Sequence, residues 1–293
     1  MDKVLVDKIR DSYGISGELT AVKRIDGYPH IIMLSFGDEE YVVKKVQKIY
    51  CKSIDTLYNY LSQSSYVELP LKTVDNSYGL MINGNLFITY PLRQKKKGRI
   101  QSFWWAKALW NIHNINVNPD DFCGEYSITE ESFSLFNSAK KFFSDDLNRC
   151  VVQLLDKYYK ECEVKKLVLS HADPYDDNVM INRSYIKLID TDGARLLPKE
   201  FDIQRLFHNE VNVENDLNEI DKYINIFLCN YGSNIDLDVL RELYVMDLLR
   251  SLSWLFLVTR DKTRADNERQ LEELARFEES ILSGRHQNVL KRL

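Results

Sequence analysis

The chain has 293 residues, of which 44% are hydrophobic and 28% charged, and its net charge is −5. This length suits one large domain or two lobes, and the composition is typical of a globular protein with substantial hydrophobic cores. No apolar stretch approaches the ~20 residues of a transmembrane helix, and the N-terminal "MDKVLVDKIRDSYG" lacks a secretory cleavage site. The acidic balance argues against a nucleic-acid partner. We therefore expect a cytoplasmic protein with neither a membrane nor a nucleic acid as partner.

The cysteines are scattered along the chain and odd in number. They are Cys51, Cys123, Cys150, Cys162 and Cys229, with no C-x-x-C spacing. This pattern predicts reduced thiols rather than disulfides or a zinc site.

The first hundred residues have the pattern of β-structure. Runs rich in β-branched and aromatic residues cover 18–25, 30–36 and 41–46, and turn-forming residues separate them at 26–29 and 37–40. The pattern predicts three consecutive antiparallel strands.

A helix and a hairpin are predicted to follow. Residues 53–63 have apolar positions at helical spacing, with Ser53 as N-cap. The segments 78–82 and 86–92 flank the turn Asn83-Gly84-Asn85 and read as a hairpin. The order is therefore three strands, a helix and two strands, within a small lobe over residues 1–92.

From about Gln101 the hydrophobic period becomes helical. Helices are predicted over 103–113, within 134–161 as one or two helices, and in the tail from Leu237 onward. Short strands, "KLVLS" (166–170) and "YIKLID" (185–190), bracket an acid-rich loop. We expect an α+β chain with a larger, mostly helical lobe over residues 93–293 and a hinge at about 88–100.

The acid-rich loop, "HADPYDDN" (171–178), presents Asp173 and Asn178, and Asp190 follows the next apolar run. Asp and Asn are common in surface loops simply because they favour turns. Here, however, these residues and Lys44 follow one another along the chain in the order expected for the residues of a phosphoryl-transfer site. Phosphoryl transfer from ATP requires a carboxylate near the acceptor hydroxyl, oxygen ligands for magnesium and a cation on the nucleotide phosphates. Asp173, then Asn178 with Asp190, and Lys44 are candidates for these roles. We expect them to converge in a cleft between the lobes.

Several motifs resemble one family. They are the H-x-D-x-x-x-x-N pattern of residues 171–178, "LID" (188–190), "YVVKK" (41–45), "AKALWNIH" (106–113) and "FDIQRL" (201–206). Together they resemble the aminoglycoside phosphotransferase and choline kinase superfamily, relatives of the protein kinases. The resemblance extends from about Glu18 to Leu206. It implies a two-lobed protein-kinase-like fold, with a small antiparallel β-rich N-terminal lobe and a larger, mainly helical C-terminal lobe.

The resemblance also implies roles for the candidate residues. Asp173 would be the catalytic base or would orient the substrate hydroxyl, Asn178 and Asp190 would bind Mg²⁺, and Lys44 would contact the α- and β-phosphates of ATP. Asp192 is a further carboxylate nearby, but the main metal ligand of the family is the Asp that follows the apolar run.

Adenine would be held by backbone groups of "ITYPL" (88–92), among them those of Thr89, Tyr90 and Leu92. His171 would support the loop through hydrogen bonds.

The sequence departs from the kinase pattern in three places. The turn expected to cover the phosphates contains one glycine, Gly27, where protein kinases have three. The helix after Lys44 contains no Glu, so Asp55 is its only acid that could pair with the lysine. Lys45 competes with Lys44 for the role, and the two side chains point to opposite faces of the strand.

The leading hypothesis is an ATP-dependent, magnesium-requiring kinase that phosphorylates a hydroxyl group of a small molecule. Acids in the predicted helical lobe suit an amine-bearing, aminoglycoside-like substrate, although a choline-type amino alcohol or a sugar stays open. These acids are Asp120, Asp121, Glu125, Glu210, Glu214 and Asp216.

The sequence favours three other classes of protein less. A protein kinase-like, spore-coat-type member is less favoured because no A-P-E segment follows Asp190. A non-catalytic nucleotide-binding pseudokinase would be marked by loss of Asp173, Asn178 or Asp190, and all three are present. A metal-dependent phosphatase would need more histidines at ligand spacing.

Overall fold

The computed structural model describes residues 3–25, 28–92, 100–123, 128–160, 166–182, 185–213, 216–232, 234–259 and 267–293. The chain forms two compact units, each discontinuous in sequence. The first consists of Met1–Arg99, Asn114–Cys123 and Asn178–Arg195, and the second of Ile100–His113, Gly124–Asp177 and Leu196–Leu293. The lobe boundary at residue 92 stays a prediction, because most of the predicted hinge lies outside the described residues.

The helices and strands alternate irregularly along the chain. The helices are α1 (Lys3–Ser12), α2 (Ile54–Leu61), α3 (Ser102–His113), α4 (Ile128–Ala139), α5 (Asp145–Tyr158), α6 (Lys199–Val213), α7 (Leu217–Tyr231), α8 (Leu237–Thr259), α9 (Asn267–Leu282) and α10 (Arg285–Arg292). The strands are β1 (Leu19–Ile25), β2 (Tyr28–Phe36), β3 (Glu39–Lys45), β4 (Leu80–Ile82), β5 (Asn85–Pro91), β6 (Val168–Ser170), β7 (Val179–Asn182), β8 (Tyr185–Leu188) and β9 (Arg195–Leu197).

The first unit is built on an antiparallel sheet of five strands in the order β1-β2-β3-β5-β4. Strands β4 and β5 join through Asn83 and Gly84, whose φ angles of 49° and 74° suit a two-residue hairpin turn. Helix α2 starts as predicted, because the Ser53 hydroxyl accepts a hydrogen bond from the Thr56 N–H at 3.0 Å. The predicted order of three strands, a helix and two strands is confirmed.

One hydrophobic cluster of the first unit joins helix α1 to this sheet. Helix α1, which was not predicted, contributes Val6 and Ile9, and the sheet contributes Leu34, Val43 and Phe87. Burial of such side chains stabilises the sheet by roughly 1.5–3 kcal/mol each.

The second unit is mainly helical and is organised around α8. Residues 242–249 of α8 are all buried, Asp247 among them, and α4, α6 and α9 pack against this helix. Helix α3 buries Trp105 and Leu109 completely, as their spacing predicts. The helices predicted within 134–161 are α4 and α5, of which α4 begins earlier, at Ile128. Within the described ranges, no helix has both the length and the apolar character needed to cross a membrane.

One local prediction was incomplete. The strand over 185–190 pairs with β7, which was not predicted, to form a hairpin in the first unit, whereas β6 pairs with β9. The four residues of β7 are too few to stand out beside the turn-forming residues before them. The expected α+β fold class is confirmed by the five-stranded antiparallel sheet and the helical second unit.

Candidate active site

Lys44 lies at the centre of an ion cluster in the first unit. It sits on β3, with Ile31 of β2 and Ile88 of β5 as its neighbours across the sheet. Its ammonium group contacts Oδ1 of Asp190 and, at 2.6 Å, Oδ1 of Asp192. The side chains of Lys44 and Asp192 are 15% and 7% exposed, whereas that of Asp190 is 43% exposed. The structure thus brings together two predicted site residues, Lys44 and Asp190.

The hairpin of β7 and β8 positions the acids. The Ile189 N–H donates to the Asn178 carbonyl at 2.9 Å, which places Asn178 and Asp190 at the same end of this hairpin. The backbone then turns sharply, because Asp190 adopts a left-handed conformation with φ 62° and a short 3-10 turn follows. Asp tolerates this conformation better than most residues. The turn allows acids two positions apart to reach the same ammonium group.

The electrostatics differ between the members of this cluster. Burial raises the pKa of Asp192 even though the charge of Lys44 opposes the shift. Burial by itself lowers the pKa of Lys44, but the charges of Asp192 and Asp190 outweigh it and the net pKa is raised. The Tyr58 and Tyr90 hydroxyls hydrogen-bond to each other at 2.6 Å, and burial and then nearby negative charge raise the pKa of Tyr58. Lys44 is therefore a fully protonated cation with a buried counter-ion.

Asp55 does not form the ion pair with Lys44 that was considered from the sequence. Its carboxylate accepts hydrogen bonds from the Ser77 hydroxyl at 2.9 Å and from the Tyr78 N–H at 2.6 Å. Among the described residues, Lys44 pairs with Asp190 and Asp192 and not with Asp55. The reason is that Asp55 lies in the first turn of α2, where it fastens the segment before β4. Asp192 supplies the counter-ion instead.

The residues predicted to hold the nucleotide base lie at the end of β5 and just beyond it. The Thr89 carbonyl accepts from the Leu71 N–H, and the Leu92 N–H donates to the Glu40 carbonyl, both at 2.7 Å. The Tyr90 hydroxyl forms a hydrogen bond with the Tyr58 hydroxyl. Gly27 lies outside the described residues. The nucleotide-binding roles of these residues stay predictions.

The loop that carries Asp173 is fastened to α6 in the second unit. The buried carboxylate of Asp202 accepts from the backbone N–H groups of His171, at 2.8 Å, and Ala172, at 2.9 Å. It also accepts from Nε2 of His113 at 2.9 Å. Burial alone would raise the pKa of Asp202, but the hydrogen bond and charge of His113 outweigh it and lower the pKa. Asp202 is therefore an ionised acceptor that holds the loop.

Two further contacts shape this loop. Ala172 has φ 70°, a left-handed conformation that residues with a side chain rarely adopt, and the bond to Asp202 keeps it there. The Asp173 N–H donates to Nδ1 of His171 at 3.3 Å, so His171 has the supporting contact that was expected.

Asp173 itself has a strong ionic partner. Its side chain is 49% exposed, and Oδ1 accepts a hydrogen bond from the Arg205 guanidinium at 2.7 Å. Asp173 belongs to the second unit, and Asn178 and Asp190 belong to the first. Their convergence on one ion stays a prediction. In the described part of the chain, no three His, Cys, Asp or Glu side chains form a cluster suited to a metal.

Arg205 was not predicted as a site residue, and Asp192 was expected to be secondary to Asp190. Arg205 lies three positions after Asp202, so both fall on one face of α6, and this spacing within "FDIQRL" was a usable signal. For Asp192 the signal was its distance of two residues from Asp190.

The structure matches solved structures over almost its whole length. A spectinomycin phosphotransferase in complex with ADP and spectinomycin is 20% identical with a TM-score of 0.74, and the match covers 99% of this chain and 98% of that chain. An amicoumacin kinase in complex with AMP-PNP and Ca²⁺ is 15% identical with a TM-score of 0.68, covering 96% and 93%. A choline kinase from Streptococcus pneumoniae is 15% identical with a TM-score of 0.61, covering 97% and 99%.

No protein-family model matches the sequence, and neither does any curated protein. At these identities the structural matches establish the fold. They include aminoglycoside phosphotransferases as well as the kinases above, so the resemblance inferred from the sequence motifs is confirmed for the fold.

Proposed function

We propose that this protein is an ATP-dependent phosphotransferase that transfers the γ-phosphoryl group to a hydroxyl group of a small molecule. The observation that carries the proposal is the cluster of Lys44, Asp190 and Asp192 on a fold shared with small-molecule kinases. Structures of that fold have been solved with ADP, AMP-PNP and GDP, which supports a nucleotide as the phosphoryl donor here.

Lys44 would bind the α- and β-phosphates of the nucleotide. Asp190 and Asn178 suit a divalent cation, because they offer a half-exposed carboxylate and an amide at one end of a hairpin. Mg²⁺ takes such oxygen ligands and keeps several waters, so two protein ligands suffice. When bound, Mg²⁺ would neutralise charge on the transferring phosphoryl group. Asp173 would orient the acceptor hydroxyl and take its proton, a contribution of about 100- to 10,000-fold in rate.

Asp192 would position Lys44 rather than touch the substrate. It is the buried member of the cluster, and its Oδ1 lies 2.6 Å from the ammonium group. An ammonium held on one side by a fixed anion keeps its other donors aimed in one direction. This arrangement takes the place of the lysine–glutamate pair of the protein kinases.

For the acceptor we propose an amine-bearing molecule. Spectinomycin and kanamycin are bound in two of the matched structures, and both carry amines. The acids that first suggested such a substrate contribute less support. Asp121 pairs with Lys52 at 3.0 Å, and Asp216 caps α7. Glu210 is buried. The acceptor is therefore best sought by assay.

The test begins with thermal shifts for ATP and GTP, each with and without Mg²⁺. We expect stabilisation by a nucleotide with Mg²⁺, since a ligand that binds the folded state raises the melting temperature. An ADP-release assay with spectinomycin, kanamycin and choline then identifies the acceptor. The absence of any nucleotide response would favour the pseudokinase alternative.

Matched variants separate the roles. Asp190→Ala should abolish turnover and the Mg²⁺-dependent part of the thermal shift, whereas Asp173→Ala should abolish turnover and keep that shift. Asp177→Asn, in the same loop and exposed, is the control and should keep near-normal turnover. Near-normal turnover by Asp190→Ala would refute the metal assignment.

A further inference from the structure

The second unit contains a buried ionic network that ends at Asp173. Two terminal nitrogens of Arg205 donate to two different acids: one to Oδ1 of Asp173 at 2.7 Å and the other to Oδ1 of Asp247 at 2.8 Å. Arg205 is buried, Asp247 on α8 is fully buried, and Asp173 is half-exposed. The guanidinium therefore connects an acid in the core to the acid proposed for catalysis.

Asp247 fixes the guanidinium from behind. It also accepts hydrogen bonds from Arg250 at 2.8 Å and from Nδ1 of His208 at 3.0 Å. Burial by itself would raise the pKa of Asp247, but the charges of Arg205 and Arg250 outweigh it and hold the pKa well below its ordinary value. A charged, fully buried acceptor on a packed helix leaves Arg205 little freedom to rotate.

Arg205 also contacts the other end of the same turn. Its guanidinium carbon lies 4.8 Å from the centre of the Tyr175 ring, and the Tyr175 N–H donates to the Asp173 carbonyl at 3.0 Å. Planar guanidinium groups stack on aromatic rings in this way. The turn of Asp173 to Tyr175 thus rests on a guanidinium that is itself held by Asp247.

We infer that Arg205 is a positioning residue for Asp173, an inference that rests on the proposed function. The guanidinium donates to Oδ1 of Asp173 and so fixes the rotamer of the carboxylate that would meet the acceptor hydroxyl. One turn earlier on α6, Asp202 holds the backbone of residues 171 and 172. One helix therefore orients both the backbone and the side chain of the loop. Since a displacement of about 1 Å can reduce a rate about 100-fold, the effect on turnover should be large.

The test compares Arg205→Gln with Arg250→Gln, measured with ATP, Mg²⁺ and the acceptor that turns over fastest. Both variants remove a guanidinium from Oδ1 of Asp247. Arg250→Gln therefore controls for the loss of an ion pair to Asp247. For Arg205→Gln we expect kcat to fall about 10- to 100-fold while the KM for ATP stays within about twofold. For Arg250→Gln we expect a comparable or smaller drop in melting temperature with kcat reduced by less than about fivefold. Added guanidinium ion should partly restore kcat to Arg205→Ala.

The outcomes are distinct. Undiminished kcat in Arg205→Gln, or equal losses of kcat in the two Gln variants, would overturn the positioning role and leave the proposed function standing. Should Arg205→Gln not fold, rescue of Arg205→Ala by guanidinium decides, and failure of rescue in a folded Arg205→Ala counts against the inference. If the wild-type protein turns over no acceptor and responds to no nucleotide, the proposed function is refuted and the positioning role with it.

Discussion

Replacing Asp202 with Asn tests how firmly α6 holds the loop that contains Asp173. The substitution keeps the size of the side chain but removes its charge and replaces one acceptor oxygen with an amide donor. Three donors meet this carboxylate: the N–H groups of His171 and Ala172 and Nε2 of His113, at 2.8 to 2.9 Å. An Asn side chain can accept from some of them but must leave at least one buried donor unpaired.

The magnitude follows from burial. An unpaired buried donor costs about 1–3 kcal/mol, and removing one partner of a buried ionic interaction costs about 3–5 kcal/mol. Because Asp202 is fully buried, we expect Asp202→Asn to lower the free energy of unfolding by about 3–5 kcal/mol. That is a large part of the 5–15 kcal/mol typical of folded proteins.

The assay is denaturant unfolding at neutral and acidic pH. The pKa of Asp202 is lowered in the folded state, from an ordinary value of 3.8. Its contribution to stability is therefore fully present above pH 3.8 and is lost as the pH falls toward the lower folded value. The difference between wild type and variant should shrink in that acidic range.

Asp216→Asn is the matched control for Asp202→Asn. Asp216 caps α7 at its exposed N-terminus by accepting from the Asn218 N–H at 2.9 Å, and Asn caps helices as well as Asp does. We expect a change within about 0.5 kcal/mol for this control. If Asp202→Asn also stayed within about 0.5 kcal/mol of wild type at pH 7, the stabilising role of the hydrogen bonds from Asp202 to the loop would be refuted.

Further predictions address the other parts of the chain. Asp192→Asn removes the buried counter-ion of Lys44. We expect it to weaken ATP binding about 10- to 100-fold, because hydrogen bonds to charged groups contribute about 1.5–3 kcal/mol. Titration calorimetry measures this Kd, and an unchanged Kd would contradict the positioning of Lys44 by Asp192. Burial, and then the charge of His208, lowers the pKa of His286 well below 6.5, so stability should fall below pH 6.5 by up to about 1.4 kcal/mol per pH unit. His286→Gln should flatten that slope in denaturant titrations, and an unaltered slope would exclude His286 as its source. Gly79→Ala places a methyl group 2.6 Å from a neighbouring side chain and should lower the melting temperature through a loss of about 1–3 kcal/mol. Gly193→Ala, with nothing within 4 Å of the added methyl, is its control, and equal effects of the two would refute the packing argument.

The sequence was sufficient to predict the elements whose stabilising interactions are local. Ser53 caps α2 three residues before the N–H that it accepts from, and Asn83-Gly84 closes the β4–β5 hairpin between adjacent partners. The buried face of α3, including Trp105, repeats with the helical period. Each of these patterns spans only a short stretch of sequence, where residue propensity and spacing determine the local structure.

The partners of the site residues lie far apart in sequence and were harder to predict. Lys44 and Asp192 are 148 positions apart, and Asp173 and Arg205 are 32 positions apart. Local spacing fixes which face of an element a side chain occupies, but not which distant element packs there. Asp55 was considered for Lys44 because it is the only acid in the helix that follows, yet its carboxylate accepts hydrogen bonds from Ser77 and Tyr78 instead. The ion pairs of the site therefore could not be predicted from the sequence alone.

Both units combine acids and cations in the same way. In the first, the buried Asp192 holds Lys44, which contacts the more exposed Asp190; in the second, the buried Asp247 holds Arg205, which contacts the half-exposed Asp173. A buried acid is costly to leave unpaired, so it fixes its cation firmly, whereas an exposed acid adds little to stability. The two acids proposed for chemistry are the exposed ones. Their replacement should therefore cost turnover at little cost in stability, and replacement of the buried pair should reduce both.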